Sequence, residues 1–332
     1  MLKKPVRMEE LSGRTLTIDA LNYIYAFLSV IRQPDGNPLT DSKMRTTSHL
    51  SGLFYRSVNL LEYNIKPLFV FDGEPPELKR DTVKERREQR REAKERWEAA
   101  LTAGDIVAAR KYAKFALAVN DTMIQESKDL LEYMGIVWIQ APSEGEAQAA
   151  YMTQKGVAWG TGSQDYDSIL FGSPRLIRNI VISGRRKVPG KNIYLKIEPE
   201  LVDAVESMKS IGVTREQLIE IAMILGTDYN PGIKGIGPKT ALKLIKKYGN
   251  AEIALREKGV STVQSYDEVR ELMHNPQTTD DYELKPRKLD RDKVIHLLTD
   301  EHDFSLERVQ AALKRIEEVT KSSKPTGLDQ WL

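Results

Sequence analysis

No cysteine occurs in the 332 residues, which excludes a disulfide framework, a thiolate nucleophile and a cysteine-ligated zinc site, and fits a reducing interior. Histidine is scarce as well: His49, His274, His296 and His302 are the four copies, none beside an acidic motif. Long apolar runs are missing. Nothing approaches the roughly 18 residues of a membrane span, and Met1 to Glu10 is polar, so the chain reads as soluble, intracellular and without a membrane partner. Nor does one charge dominate. Lys+Arg 50 against Asp+Glu 48 leave +2, so a nucleic-acid partner must be argued from where the charges lie and not from their sum. Low-complexity segments and internal repeats are also absent.

What is present is a recurring pattern of apolar runs that end on acid. Ile18-Asp19, Phe71-Asp72, Ile136 to Ala141 leading into Ser143-Glu144-Gly145-Glu146, and Val157 to Thr161 leading into Ser163-Gln164-Asp165-Tyr166-Asp167 all read as a buried strand and then carboxylates. Parallel sheets take their ligands just beyond the carboxyl ends of the strands, so these side chains are aimed at one region. Between the runs the periodicity predicts helices over Ala20 to Ile31, Thr47 to Tyr63 and about 121 to 134, the last stopped by Gly135, and another from Glu144. The result is an α/β chain with a doubly wound, mostly parallel sheet flanked by helices.

Two parts stand outside that alternation. Residues 77–119 read as two helices, about Glu77 to Ala100 and Ile106 to Val119, joined through Ala103-Gly104-Asp105 as an insertion. Arg175 to Ser183 and Asn192 to Ile197, linked through Gly184 and Gly190, read as a hairpin at a sheet edge. From 200 to 320 the chain is mainly helical, with Thr214 capping a helix to Leu225, Lys239 to Tyr248 forming the next, and a glycine hairpin between them. Residues 1–320 thus form one domain, and 321–332 a polar, loose tail.

An oxygen-only set of Asp and Glu suits a hard ion, Mg²⁺ or Mn²⁺, and two such ions about 3.5 to 4 Å apart can clamp both oxygens of a phosphodiester displacement. Each element also has a plain structural reading. Ser143 to Glu146 fits a capping box, Asp165 and Asp167 are common turn formers, and Asp19 and Asp72 can cap the segments after them. It is the conjunction of four strand ends that favours a site. Glu77 to Glu98 carries nine Lys/Arg and seven Asp/Glu, the usual look of a solvated helix. Yet Lys79, Arg86 and Arg90 fall within about 40° of one another at about 100° per residue, a cationic stripe just downstream of Asp72. Gly232-Ile-Lys-Gly-Ile-Gly-Pro-Lys-Thr240 is not a triphosphate loop, because Pro238 separates Gly237 from Lys239 and a helix precedes it. Gly232, Gly235 and Gly237 with Lys234 and Lys239 suit a duplex phosphate backbone, or else form an ordinary interhelical turn.

Taken together these motifs resemble the flap endonucleases, the structure-specific 5′ nucleases of replication and repair, particularly the archaeal members. The matching segments are Ile18-Asp19-Ala20, Val70 to Pro76, Ala141 to Ala147, Ser163 to Asp167, Gly226-Thr227-Asp228-Tyr229-Asn230 and Gly232 to Pro238, spread over nearly the whole chain. The resemblance implies two Mg²⁺, or Mn²⁺, with Asp19, Asp72, Glu144 and Glu146 around one and Asp165, Asp167 and Asp228 at the other. It implies that Lys79 and Arg86 steer the scissile phosphate, that Tyr25 stacks on a terminal base, and that Arg32 and Thr47 line a pocket for a one-nucleotide 3′ flap; Arg90, on the same stripe by helical phase, suits a substrate phosphate. The insertion becomes an arch that admits a single 5′ strand, and the Gly232 hairpin, with a monovalent cation such as K⁺, holds duplex DNA. Leu328, Trp331 and Leu332 resemble a sliding-clamp peptide, with Pro325 in place of its usual Gln and Leu332 in place of its second aromatic. The opening Met1-Leu2-Lys3-Lys4 lacks the family's Met-Gly start. A monomer acting on 5′ flaps or nicked and branched duplex is expected, cytoplasmic in an archaeon or nuclear in a eukaryote. The rivals are a 5′ nuclease preferring bubbles or free ends and a non-catalytic clamp-associated DNA-binding protein.

Overall fold

Nine strands, β1 (Lys4–Pro5), β2 (Thr15–Asp19), β3 (Lys66–Phe71), β4 (Trp138–Gln140), β5 (Gly160–Gly162), β6 (Arg175–Arg178), β7 (Gly184–Lys187), β8 (Tyr194–Ile197) and β9 (Glu200–Asp203), occur among the described residues of the computed structural model. Those residues are 1–33, 37–113, 118–182, 184–187, 194–259, 266–285 and 287–322. Seven strands form one sheet in the order β1-β9-β6-β5-β2-β3-β4. From β6 to β4 every pairing is parallel; β9 and β1 add an antiparallel edge. The chain leaves β2 towards β3 and β4, then crosses to β5 and β6 on the other side, so the topological switch lies between β2 and β5.

Side chains alternate across the pleat and divide the apolar runs between two layers. Phe69 and Phe71 face one core, with Tyr23 and Phe27 of α1 (Ala20–Val30) and Phe54 of α2 (Ser48–Glu62). Leu68 and Val70 face another, under α6 (Gly145–Gln154). Between α2 and α6 in the chain lie α3 (Arg80–Thr102), α4 (Ile106–Ala113) and α5 (Asp121–Tyr133), and beyond α6 comes the short α7 (Asp167–Leu170). A third core joins α6 and α7 to the helical part, α8 (Ala204–Ile211), α9 (Arg215–Leu225), α10 (Pro238–Tyr248), α11 (Ala251–Arg256) and α12 (Asp267–His274). The first core is closed by α13 (Arg291–Ile295), a π-helical stretch over His296–Glu301 and α14 (Leu306–Ser322). Among the described side chains of α3 and α4, the buried ones are the small Ala93, Ala100 and Ala109, and residues 114–117 lie outside the described set.

The edge hairpin is not formed as the sequence suggests. Asn179, at φ 61°, turns the chain out after Arg178, so Arg175–Arg178 joins the main sheet parallel to β5. The two-stranded ribbon is instead β7 with β8.

Histidine scarcity hides a second feature. His49 and His302 are buried and flank Glu126, with His49 Nε2 at 2.9 Å from Oε2 and His302 Nε2 at 3.3 Å from Oε1; Nδ1 of His302 is 3.3 Å from Asp41. Burial alone would raise the Glu126 carboxyl, but the interactions with His302 and His49 outweigh it and bring it down to about 2. A depressed carboxylate stabilises the fold above its unfolded value near 4.5, and that contribution disappears as pH falls towards 2. Glu126→Gln is therefore expected to cost on the order of 2 kcal/mol at pH 7, discounted for partial exposure, and progressively less below pH 4. Urea unfolding of both proteins at pH 7 and pH 3 checks it; an equal offset at the two pH values would discount the ion-pair account.

Candidate active site

Each acidic side chain is delivered by the end of a strand or the start of a helix. Asp19 closes β2 and caps α1, accepting a bond from the Asn22 amide at 3.0 Å. Asp72 comes directly after β3, and its Oδ1 accepts from the Gly145 amide at 2.7 Å. Gln140, the last residue of β4, donates to the Asp72 carbonyl at 2.5 Å and so ties the ends of two strands together. Glu144 and Glu146 stand at the start of α6, Asp165 and Asp167 after β5, and Asp228 three residues beyond α9.

The capping box expected at Ser143 to Glu146 does not form. Ser143 Oγ donates to the Glu74 carbonyl at 3.0 Å, and the cap position belongs to Glu144, which makes no side-chain cap bond. The first amide of α6, that of the buried Gly145, is satisfied by Asp72, leaving both glutamates free of capping duty. Gly145 permits this approach: a Cβ there would lie 2.5 Å from Asp72 Oδ1, too close without displacing the carboxylate.

The seven carboxylates the sequence singled out lie within electrostatic reach of one another. Burial raises Asp19 first, then repulsion from Asp72 and Asp165, to about 8. Asp72 is pushed up to about 6 by burial and then Glu144, against the Gly145 amide and Lys79. Burial, and after it Asp165 and Asp228, moves Asp167 to about 6. Glu146 is raised well above the usual range by burial and then by Asp19, Asp167 and Asp165. The first basic residues of the insertion reach into this cluster. Lys79 Nζ lies 2.7 Å from Glu144 Oε2 and 3.3 Å from Asp228 Oδ2, and Arg86 lies 2.6 Å from Asp228 Oδ1. Thr82 fastens the same helix by donating to the Asp228 carbonyl at 2.7 Å. Burial pulls the Lys79 ammonium down, but Glu144, Asp228 and Asp72 together hold it above its ordinary value.

The donor set fits hard divalent ions. It is all oxygen, and although Lys79 and Arg86 pair with Glu144 and Asp228, burial and mutual repulsion leave Asp19, Asp72, Glu146 and Asp167 pushed towards protonation. As the side chains stand, no three carboxylates among the described residues close on a single point.

The other sequence candidates are dispersed. Arg90 of α3 places its guanidinium 5.1 Å from the centroid of the Tyr25 ring, which is only partly buried. Arg32 and Thr47 flank the loop between α1 and α2, where Ser48 Oγ donates to the Ile31 carbonyl; Arg32 is part-exposed and Thr47 is buried. In the hairpin between α9 and α10, Ile233 and Ile236 pack inward, while Lys234, Gly235, at φ 85°, Gly237 and Lys239 are exposed. Gly232 is held close to α9, its following amide bonded to the Ile224 carbonyl at 2.8 Å. Leu328, Trp331 and Leu332 lie outside the described residues.

Three supporting residues were not singled out from the sequence, each having a partner well removed in the chain. They are Gln140, Ser163, whose Oγ donates to Glu146 at 3.0 Å and accepts from the Asp165 amide at 3.2 Å, and Asn22.

Two family models match: the XPG N-terminal domain over residues 2–93 and the XPG I-region over residues 135–228. Flap endonuclease 1 of Pyrococcus abyssi is 53% identical over 330 residues, covering 99% of this chain and 95% of the relative. The Ignicoccus hospitalis protein of that name is 50% identical over 332 residues, with the same coverage. Among solved structures, flap endonuclease-1 from Methanococcus jannaschii matches with a TM-score of 0.77 at 38% identity, covering 98% of each chain. The catalytic core of Rad2 in complex with DNA substrate matches with a TM-score of 0.69 at 28% identity, covering 95% of this chain and 96% of that one.

Proposed function

The chain belongs to the flap endonuclease family, metal-dependent nucleases that hydrolyse DNA phosphodiester bonds, and from that premise we propose that it cuts at the base of 5′ flaps during replication and repair, using two Mg²⁺ held by the seven carboxylates. Mn²⁺ is an acceptable substitute on the same hard-ligand grounds. The observation that carries the reading is the meeting of Lys79 and Arg86 with Glu144 and Asp228: cations for a phosphate and acids for metal share one pocket at the carboxyl ends of the strands.

Asp19, Asp72, Glu144 and Glu146 would hold one ion, and Asp165, Asp167 and Asp228 the other. When bound, the pair supplies Lewis-acid polarisation of the phosphate and a lowered pKa for the attacking water. The chain's own part is positional. Lys79 and Arg86 turn from their carboxylates to the scissile phosphate and offset charge that develops there. Tyr25, backed by Arg90, offers a stacking face for the terminal base. The amides and lysines of the hairpin, Lys234 and Lys239 with Gly235 and Gly237, suit a duplex backbone read without sequence preference, with K⁺ as a further bridge. Water adds to phosphorus and the 3′ oxygen leaves, so the products carry a 5′-phosphate and a 3′-hydroxyl. Partners would be flapped or nicked duplex and a sliding clamp engaged through Leu328, Trp331 and Leu332, with the protein itself a monomer in an archaeal cytoplasm. No helix among the described residues is long and apolar enough to cross a membrane.

A 5′-labelled double flap incubated with Mg²⁺ tests this reading. Scission at the flap base is the expected result; binding without scission would remove the nuclease reading of this chain, and cutting only at bubbles or free ends would reassign its substrate.

A further inference from the structure

Asn22 has three polar atoms committed to the acidic cluster. Its backbone amide donates to Asp19 Oδ1 at 3.0 Å, its side-chain Nδ2 donates to Asp165 Oδ2 at 2.5 Å, and its Oδ1 accepts from the Gln164 amide at 3.2 Å. The side chain therefore grips the Gln164–Asp165 unit at two points, backbone and carboxylate, from the first turn of α1. It does so across the β2/β5 boundary, where the sheet reverses its winding. Ser163 grips the same loop through the Asp165 amide and Glu146.

From this geometry we infer that Asn22 is a positioning residue for ion capture: it holds one oxygen of Asp165 so that the other faces the cluster, and it locks Asp165 to the Asp19 cap. The inference rests on the two-ion reading above. A carboxamide supplies both a donor for a carboxylate and an acceptor for an amide at this reach. Leucine fills similar space and does neither. Among the described residues no cationic side chain hydrogen-bonds to Asp165, so loss of the Nδ2 bond releases its carboxylate to rotate towards water and away from its acidic neighbours.

The test is Mn²⁺ binding to the full chain without DNA, by calorimetry, in the wild type, Asn22→Leu, Asn22→Ala and Asp165→Ala. Residues that orient metal ligands typically contribute about 10- to 100-fold in affinity. Asn22→Leu and Asn22→Ala are expected to weaken Mn²⁺ binding by about that factor, and in single-turnover cleavage to raise half-saturating Mg²⁺ by more than they lower the saturated rate. The alanine variant removes the same bonds without bulk, so a packing defect confined to leucine is recognised. Wild-type Mn²⁺ affinity in both Asn22 variants, with Asp165→Ala impaired, overturns the inference and leaves the two-ion reading intact. Wild-type affinity in Asp165→Ala overturns both. A rate loss that Mg²⁺ does not relieve, at unchanged Mn²⁺ affinity, also overturns the inference.

Discussion

Asp165→Ala is expected to reduce single-turnover cleavage of a double flap by at least about 10³-fold while changing the dissociation constant for the same DNA by no more than about threefold. The separation of the two effects comes from where Asp165 stands. It leaves the sheet just after β5, held by Asn22 and Ser163 and pressed against Asp19, Asp167 and Glu146. The surface proposed for duplex is the hairpin between α9 and α10, on other elements than β5. Removing one carboxylate from an acidic pocket also lessens its repulsion of phosphate, so without divalent ions the variant should bind DNA slightly better than the wild type. Gel-shift titration in EDTA and in Ca²⁺, beside quenched-flow cleavage in Mg²⁺, reads both quantities. Equal loss of binding and cleavage would show Asp165 to be structural.

How far such a site is readable before folding depends on the range of the interaction that makes it. Asp19, Asp72 and Asp165 stand out because burial on both faces makes a parallel strand a continuous apolar run, and the first acid after that run is conspicuous. Lys79, Arg86 and Arg90 stand out because helical phase is local. Asn22 looks in sequence like any polar residue on an amphipathic helix: its partner is Asp165, 143 positions on. The buried pair of His49 and His302 is hidden in the same way: Glu126 and Asp41 approach them only through packing. Ser143 to Glu146 shows the opposite error. A capping box is a local rule, and it gives way to Asp72, whose carboxylate arrives from the neighbouring strand and takes the first amide of α6. Register and edge pairing are non-local too, which is why Arg175–Arg178 reads as part of a hairpin and is found instead between β5 and β9.

Lys79→Ala and Arg86→Ala should each lower the single-turnover rate by at least about tenfold, with the larger loss at Lys79. Lys79 is the more enclosed of the two, its side chain 16% exposed against 50% for Arg86, so its charge acts through less water. These variants also carry an expectation of opposite sign. Without DNA, Lys79 spans Glu144 and Asp228 and Arg86 holds Asp228, occupying oxygens that divalent ions would need. Removing either cation deepens the negative potential of the pocket and should tighten Mn²⁺ binding to the free protein by several-fold, about a factor of ten at most. Slower cleavage together with tighter ion binding would mean that the two side chains trade partners during the reaction, neutralising carboxylates first and phosphate afterwards. Weaker ion binding in Lys79→Ala would mean instead that the lysine only holds Glu144 in place, and a rate close to wild type would take both residues out of the chemistry.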